Sequence, residues 1–572
     1  MKEASTRSAK GRAFPMQKLS MEVRLLLAFL LMGVVMVISN YLMPPQQPAE
    51  QAKQPAPKAA APAQGQAQTQ TAPAATAAAA EVPGAVQAAE VETFAIDTDL
   101  FKVAFSNRGA TIHNWVLKKY KSNAGKDLEL VNQKAVTGDK ALAAPFALAF
   151  KNAPSNDPND KLYKVTRGAD GLSVAFEYSD GRMTAKKTFQ FAKDSYLVKV
   201  SSQVVENGVL LPHSLVWRGG FGDATGVNPT ADARSLYYDS AGSSLEKQQA
   251  SDAKNGPVSA SGNYAFAGLE DKYFAAVVLP GGPGTLELTT YSDTVKSAED
   301  KDEAHVGAAI GGSGNNSFQL FVGPKDVDTL GTVEPRLRQL IDWGWFWFIA
   351  QPLFLALKWL VATVTHNYGW AIILLTILIN TALFPLRLTS MKSSRKMQQI
   401  QPLVQKINDK YKGIPMNDPR KTDQNAELMD LYKAHGINPV GGCLPMLIQI
   451  PFFYALYKAL SIAIQLRGAE WLWVADLSQP EALPGGMRIL PIVLMVTQFL
   501  SQKMTPSPGM DPTQQKMMLL MPLVFGFMFW PASAGLVLYW LTSNVVSIAQ
   551  QMLLNRTSAP AVAVVVPPKK KK

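Results

Sequence analysis

The stretch PFFYALYKALSIAIQLR (451–467) is apolar and aromatic over most of its length, yet it places Lys458 near its centre. An ammonium group at mid-membrane costs about 2.5–3.5 kcal/mol, so it should face protein or water. The pattern predicts a membrane helix with one polar face, with snorkelling of Lys458 towards the headgroups as the alternative. The polar residues recur at i, i+4, i+7 and i+11, the spacing of one helix face: Tyr454, Lys458, Ser461 and Gln465.

The composition extends this interpretation to the whole chain. Hydrophobic residues make up 47% of the 572 residues and charged residues only 17%, below the roughly 25% of soluble domains. The net charge of +12 suits nucleic acid, anionic lipid or an acidic partner. The histidines are scattered, Cys443 is the single cysteine, and no G-x-x-x-x-G-K-[ST] loop occurs. We therefore expect no disulfide, no metal or nucleotide cofactor and no enzymatic activity.

The N-terminal region predicts an anchor followed by a tether. The cytoplasmic N-terminus (1–24) is rich in Lys and Arg and precedes the uncharged run LLLAFLLMGVVMVISNYLM (25–43), which is long enough to cross a bilayer. A cleavable signal peptide is the alternative, but the run is long for one and no A-x-A site directly follows it. Residues 44–90 are mostly Ala, Pro and Gln, which predicts a disordered linker.

Residues 91–330 change to the pattern of strands. Short runs such as FKVAFSN (101–107) and SFQLFVG (317–323) alternate or stay apolar for five to eight residues, and Gly, Asn, Asp and Pro clusters separate them. No long helical period intervenes. This region predicts a large antiparallel β-sandwich, which the anchor topology places outside the cytoplasm.

From residue 331 onward the chain is predicted to be helical. The segment 341–364 is crowded with tryptophan, which favours an amphipathic helix lying at the membrane interface. With the anchor, the spans predicted after it make a bundle of six. These five spans are 368–386, 444–466, 487–502, 517–531 and 534–554.

The charges of the loops give the orientation of these spans. The loop 387–440 holds ten Lys and Arg residues against five acidic ones, and KKKK (569–572) ends the tail 557–572. The loops 467–486 and 531–533 lack such clusters. Cytoplasmic loops carry the excess of positive charge, so we expect both termini in the cytoplasm.

Polar stripes also occur in three other predicted spans. Hydrogen bonding between helices is the ordinary explanation for a single Ser or Thr. Stripes on four helices instead favour a water-filled polar cavity. The additional stripes consist of Thr376 and Asn380, with Arg387 on the same face; Gln498 and Gln502; and Tyr539, Ser543, Ser547 and Gln550, with Trp540 and Asn544 beside them.

Several motifs resemble one family. The stretches NPVGGCLPMLIQIPFFYALYKAL (438–460), DPTQQKMMLLMP (511–522), GLVLYWLTSN (535–544) and SNRGATIHNWVLKKY (106–120) are similar to the YidC/Oxa/Alb membrane-protein insertases. The resemblance covers nearly the whole chain except the tether, and the helical motifs are specific.

The resemblance implies an architecture and a function. It implies a five-helix insertase core (368–556) around a hydrophilic groove, a cytoplasmic helical hairpin (388–437) and a periplasmic β-supersandwich. Such a protein inserts and folds nascent inner-membrane proteins, alone or with the Sec translocon, in the bacterial inner membrane. A secondary transporter and a membrane-tethered periplasmic sugar-binding protein are the alternatives; the absence of an inverted repeat and of a convincing acid/base pair disfavours them.

One position departs from the family pattern. The family usually places an arginine five residues before the proline that is Pro385 here, and this chain has Asn380 instead. We hypothesise that Lys458 returns the lost charge from the facing helix. Thr376 and Tyr539 match positions that the family associates with substrate contact. The predicted groove residues are Asn380, Thr376, Lys458, Ser461, Gln498, Tyr539, Trp540 and Ser543.

The basic hairpin and tail predict a further contact. Their cations would neutralise phosphates of ribosomal RNA or meet the nascent chain. The alternative is that they only set the topology. The partners expected from sequence and resemblance are nascent membrane proteins, the Sec translocon, the ribosome and the lipid bilayer. The cations concerned are Arg395, Lys396, Lys406, Lys410, Lys569 and Lys570.

Overall fold

The computed structural model describes most of the chain from residue 84 to residue 557. The predicted anchor (25–43), most of the linker (44–90) and the tail beyond 557 lie outside the described residues. The gaps within the described part are 123–124, 138–140, 226–228, 282–283, 298–299, 415–417, 438–443 and 505–511.

The described residues fall into two compact units. The β-unit comprises the described residues up to Gly344 together with the later segment Lys458–Gly468. The helical unit comprises Trp345–Tyr457 and the described residues from Ala469 onward.

Among the described residues, the strands of the β-unit pair antiparallel throughout, as the alternating sequence predicts. The described strands are β1 (Thr93–Asp97), β2 (Phe101–Ser106), β3 (Thr111–Lys121), β4 (Asp127–Glu129), β5 (Leu148–Phe150), β6 (Lys164–Arg167), β7 (Ser173–Ser179), β8 (Met183–Phe191), β9 (Leu197–Glu206), β10 (Val209–Leu210), β11 (His213–Trp217), β12 (Arg234–Asp239), β13 (Ser244–Gln248), β14 (Val258–Gly262), β15 (Tyr264–Glu270), β16 (Phe274–Pro280), β17 (Leu286–Lys296), β18 (Asp302–Ser313) and β19 (Asn315–Pro324).

The strands that the structure describes form three sheets in the β-unit. A four-stranded sheet has the order β1-β2-β3-β4, and a five-stranded sheet has the order β14-β17-β18-β11-β5. The third sheet runs β13-β12-β15-β16-β19-β9-β8-β7-β6, with β10 paired to β9. Buried and exposed residues alternate over the second half of β8, because successive side chains of a strand point to opposite faces. The inward aromatic side chains, among them Phe101, Phe105, Trp115 and Phe189, form the core.

Short helices complete the β-unit. The α-helices among them are α1 (Gln133–Thr137) and α2 (Val327–Val333). The described 3-10 helices of this unit are Pro158–Asp160, Ala250–Ala253, Pro335–Leu340 and Ile464–Leu466. The carboxylate of Asp326 caps α2 by accepting a hydrogen bond from the Thr329 amide at 2.9 Å. Leu330, Leu337 and Leu340 bury themselves in a second apolar cluster.

The helices after residue 344 are mostly long. Asn367 caps the second of them by accepting hydrogen bonds from the Gly369 and Trp370 amides. The helices are α3 (Trp347–Leu360), α4 (Tyr368–Ala382), α5 (Phe384–Gln399), α6 (Gln401–Lys410), α7 (Arg420–Ala434), α8 (Leu444–Ile462), α9 (Ile489–Met504), α10 (Pro512–Phe529) and α11 (Ala534–Thr557).

The predicted cytoplasmic hairpin corresponds to part of α5 together with α6 and α7. Helices α6 and α7 pack on each other through a small apolar cluster that includes Val404, Leu428 and Tyr432. Helix α5 begins after a bend of 57° that follows α4.

The number of membrane spans differs from the prediction. Within the described residues, Trp347–Thr365 and Pro484–Met504 are long and apolar enough to cross a membrane, and α4 with the first part of α5 makes a third span if the bent pair counts as one. The predicted count of six is therefore not confirmed. The segment predicted to lie at the interface (341–364) overlaps one of these candidates, Trp347–Thr365, because length and apolar composition do not separate a helix that spans from one that lies flat.

Candidate functional site

Polar side chains from α4 and α11 meet inside the helical unit. The Asn380 side chain is only 3% exposed. Its Oδ1 accepts a hydrogen bond from Ser543 Oγ at 3.3 Å, and its Nδ2 donates to the Thr376 carbonyl at 2.8 Å. Gln550 Nε2 donates to the Asn380 carbonyl at 3.2 Å. The structure thus brings together Asn380 and Ser543, two of the predicted groove residues.

Thr376 and Tyr539 are buried beside this contact. Thr376 is 0% exposed, and its hydroxyl donates to the Ile372 carbonyl one turn earlier at 2.6 Å. The Tyr539 ring is also buried and stacks on Phe453 of α8, with 6.1 Å between ring centroids. In this state both side chains are packed against protein.

Arg387 joins three helices two turns after Asn380. From α5, its Nη1 donates to Ser547 Oγ of α11 at 2.6 Å, and its Nη2 donates to Gln449 Oε1 of α8 at 2.7 Å. The guanidinium is only partly exposed. The sequence indicated that Arg387 shares a face with Asn380, but it gave no sign of its partner Gln449, which lies in an otherwise apolar stretch.

Gln498 forms a separate polar contact. The Nδ2 of Asn544 in α11 donates to Gln498 Oε1 in α9 at 2.8 Å. This bond links two helices, which is the structural role that polar groups commonly play between membrane helices.

Trp540 lies in an aromatic cluster. Its ring centroid is 4.5 Å from that of Phe529, 4.7 Å from that of Phe453 and 5.6 Å from that of Phe525. Two of these contacts are edge-on, a favourable geometry for aromatic pairs. Trp540 thereby packs α8, α10 and α11 together.

Lys458 has a partner that the sequence did not indicate. Its Nζ lies 2.7 Å from Oδ2 of Asp342, and both residues belong to the β-unit. Partial burial alone would raise the pKa of Asp342, but the hydrogen bond and charge of Lys458 hold this pKa below its usual value. The hypothesis that Lys458 returns the charge missing at Asn380 stays a prediction; in the described state this ammonium pairs with the Asp342 carboxylate.

The rest of the segment Lys458–Gly468 also binds acidic residues of the β-unit. Gln465 Nε2 donates to Asp326 Oδ1 at 2.6 Å. Arg467 forms an ion pair with Asp223 in which both side chains are less than 10% exposed. Ser461, the other predicted groove residue in this segment, is partly buried. The polar stripe predicted at 451–467 therefore supplies contacts to a β-domain over its second half.

The predicted ribosome-binding cations are described only in part. Lys396 and Lys406 are exposed. Lys410 is exposed as well and forms an ion pair with Glu427 at 2.8 Å. The side chain of Arg395, and Lys569 and Lys570, lie outside the described residues.

These features define a class: a membrane protein with apolar helices, buried polar side chains between them, and an antiparallel β-domain. The comparisons with known proteins identify the family. The model of the YidC periplasmic domain matches residues 93–356, and the model of the 60Kd inner membrane protein matches residues 359–561. The chain belongs to the YidC family of membrane protein insertases.

Individual relatives match over nearly the full length. The membrane protein insertase YidC of Geotalea daltonii is 35% identical over 553 residues, which are 95% of this chain and 100% of the relative. That of Citrifermentans bemidjiense is 36% identical over 561 residues, 94% of this chain and 100% of the relative. The crystal structure described as an active YidC insertase with the first transmembrane domain resolved is 18% identical, with a TM-score of 0.36, over 84% of this chain and 95% of that one.

Family membership decides the general function. The protein is a non-enzymatic insertase and chaperone of the bacterial inner membrane, and it acts on membrane proteins in the bilayer. Neither a transporter nor a sugar-binding protein is favoured.

Proposed function

We propose that the polar side chains between α4, α5, α8 and α11 form the surface that receives the hydrophilic part of an entering membrane protein. The buried contact between Asn380 and Ser543 carries the proposal. In the described state Asn380 accepts a hydrogen bond from Ser543 and donates one to the Thr376 carbonyl, whereas Gln550 Oε1 is buried without a partner. A neutral hydrogen bond contributes only about 0.5–1.5 kcal/mol net, so exchanging it for a bond to a polypeptide costs little.

Family membership and the burial of these groups support this role. A polar group buried among apolar neighbours is unfavourable unless it is hydrogen-bonded. Once their present bonds open, these side chains would therefore bond to polar groups of the substrate in place of water. Thr376 and Tyr539 would line the same surface after the helices separate, and Gln498 with Asn544 would extend it towards α9. Trp540 would pack at the aromatic edge of this surface. Lys458 and Ser461 would instead belong to the β-unit.

Cysteine crosslinking of a stalled nascent chain tests the surface. In a Cys443→Ser background, Ser543→Cys should crosslink to a cysteine in the hydrophilic segment of the nascent chain. Thr381→Cys is the matched control, because Thr381 lies one residue from Asn380 on an exposed face of α4. Equal crosslinking of both positions would remove the proposal.

We propose in addition that the exposed lysines of the hairpin and the basic tail bind the ribosome. Lys396 and Lys406 are exposed, so both side chains are accessible to RNA. If they neutralise phosphates, ribosome binding should weaken steeply as the salt concentration rises. Replacing Lys396 and Lys406 by Gln should weaken ribosome binding and flatten its dependence on salt. A salt slope equal to that of the unaltered protein would show that these lysines only set the topology.

The sequence supports two further proposals. The charge bias of the loops favours six spans with both termini in the cytoplasm. Labelling of cysteines placed near residues 10 and 560 would test this orientation by showing on which side of the membrane each one is accessible. The resemblance to the family supports the proposal that the protein inserts substrates either alone or together with the Sec translocon. Insertion into vesicles that contain only this protein would show which substrates need Sec.

A further inference from the structure

A tight turn in the loop between α8 and α9 presents two apolar side chains to the outside. The Trp471 amide donates to the Val474 carbonyl at 2.8 Å, and the Val474 amide donates to the Trp471 carbonyl at 2.8 Å. Leu472 and Trp473 form the corner of this turn and are 64% and 45% exposed. Leu472 has a φ of 50°, a conformation that favours glycine. The chain therefore keeps a large apolar side chain where the backbone prefers none, which indicates a functional reason.

Trp471 anchors this turn to the start of α4. Its side chain is buried, and its ring centroid lies 5.7 Å from that of Trp370 and 5.8 Å from that of Trp473. A Cβ atom at Gly369 would lie only 2.1 Å from the Trp471 ring, so glycine lets this ring pack against the first turn of α4. The exposed corner therefore rests on a packed base.

The polar atom of Trp473 is bonded to protein. Its Nε1 donates to Oε1 of the buried Glu481 at 2.5 Å. The other carboxylate oxygen of Glu481 accepts a hydrogen bond from the Leu490 amide, at the start of α9, at 2.6 Å. Because the indole has no other polar atom, the exposed part of the Trp473 ring offers only apolar contact.

The position of the corner indicates the bilayer interface as its partner. Trp370 lies in the first turn of α4 and is half-exposed, and Glu481 links Trp473 to the first turn of α9. Helix α4 with the first part of α5, and the segment Pro484–Met504 that contains α9, are candidate membrane spans. The exposed tryptophans thus lie beside the ends of two candidate spans, and tryptophan is enriched at the depth of the headgroups.

The charges of the loop favour apolar rather than electrostatic binding. The loop 467–488, which the structure describes throughout, has two cations. Arg467 pairs with Asp223. Arg488 donates to the Trp530 carbonyl and lies over the Trp530 ring, with its Cζ 5.6 Å from the ring centroid. Since both cations are engaged with protein, attraction of this loop to a membrane must come from the apolar corner.

We propose that Leu472 and Trp473 insert into the boundary between headgroups and acyl chains on the side of the bilayer where α4 and α9 begin. Trp370 contacts the same layer from α4. The inserted corner fixes the depth of the start of α9, because Trp473 is bonded to the glutamate that accepts from the Leu490 amide. With the orientation proposed above, this layer belongs to the outer leaflet. The proposal does not depend on the polar surface for polypeptides.

Quenching of a fluorescent probe by lipids tests the insertion. In the Cys443→Ser background, Leu472→Cys carries an NBD probe, and the full chain is reconstituted in phosphatidylcholine vesicles. A nitroxide high on the acyl chains should quench this probe, whereas aqueous iodide should not. Glu470→Cys is the matched control, because Glu470 is exposed and charged just before the turn. A probe there should be quenched less by the nitroxide and more by iodide.

A second probe shows whether the apolar side chain drives insertion. Ala475→Cys places NBD at an exposed position directly after the turn. Leu472→Ser should lower nitroxide quenching of this probe about twofold, because binding scales with the buried apolar area. Met487→Ser is the matched control: Met487 is exposed in the same loop but outside the turn, so its replacement should leave the quenching unchanged.

Three results would overturn the proposal. The first is equal iodide quenching of the probes at positions 472 and 470, which would place the corner in water. The second is protection of the probe at 472 from both iodide and the nitroxide, which would mean that protein covers the corner. The third is quenching that survives Leu472→Ser, or that needs phosphatidylglycerol and disappears when NaCl is raised. Unchanged quenching with phosphatidylglycerol or added NaCl is the result expected for apolar insertion.

Discussion

At the residue scale, the burial of a single lysine shows how the β-unit holds a strained turn. Lys187 is 1% exposed and donates to the carbonyls of Gly109 at 2.7 Å, Ala110 at 3.3 Å and Phe146 at 2.7 Å. The three protons of an ammonium group match these three acceptors. Gly109 and Ala110 both have positive φ, at 65° and 50°, so Lys187 stabilises a backbone that L-residues rarely adopt.

We predict that Lys187→Met destabilises the protein by about 2–4 kcal/mol, because three buried carbonyls lose their donor. Lys186→Met is the matched control, since the neighbouring Lys186 is exposed and pairs with Glu177 at the surface. Thermal unfolding of the full chain in detergent, followed by tryptophan fluorescence, measures both. Equal melting temperatures for the two variants would show that the turn does not need the hydrogen bonds donated by Lys187.

The stability that depends on Lys187 should also vary with pH. Burial lowers the pKa of Lys187 from 10.5 to about 7, and the charge of Asp157 opposes this shift. Between pH 7 and pH 10.5 the unfolded chain therefore binds more protons here than the folded chain, so stability rises with pH in that window. The melting temperature of the unaltered protein should rise relative to Lys187→Met from pH 7 to pH 9. A constant difference would contradict the lowered pKa.

At the scale of elements, sequence reasoning found the strands and the helix faces but not their distant partners. The i, i+4 spacing put Thr376 and Asn380 on one face of α4, and the structure buries both. For the polar stripe at 451–467, the spacing did not reveal the binding partners. Lys458 and Gln465 bind Asp342 and Asp326, which precede them by 116 and 139 residues, and no local pattern encodes such a separation.

The ion pair of Arg467 with Asp223 should be the strongest of these long-range contacts, because both side chains are almost fully buried. We predict that Arg467→Met destabilises the β-unit by about 3–5 kcal/mol, since it leaves a buried carboxylate without its cation. The exposed pair of Arg420 and Asp418 provides a control: Arg420→Met should cost less than about 1 kcal/mol.

A second substitution checks the cause of this loss. Asp223→Asn in the Arg467→Met background removes the unpaired charge and should restore most of the melting temperature. If the double variant is no more stable than Arg467→Met, packing of the arginine stem, rather than charge, holds the segment Lys458–Gly468 in the β-unit.

At the scale of the whole molecule, the proposed surface for polypeptides belongs to the helical unit, and the β-unit should be largely dispensable for insertion. A chain that lacks 91–320 should still insert substrates. This deletion removes Asp223 and leaves Arg467 unpaired, so a matched deletion with Arg467→Met separates that defect from a loss of function. Failure of both deletions at normal membrane levels would show that the β-unit takes part in transfer.

The most direct test of the polar surface is insertion by the purified protein in lipid vesicles. Asn380→Leu with Ser543→Ala removes the central hydrogen bond of the surface. Replacing both partners of a buried hydrogen bond by apolar groups can be nearly neutral for stability, so lost activity cannot be ascribed to unfolding once melting temperatures agree. Thr381→Leu on the exposed face is the control. We predict that insertion falls several-fold, by about the contribution of one or two hydrogen bonds, in the double variant and not in the control. Unchanged insertion by the double variant would contradict the account.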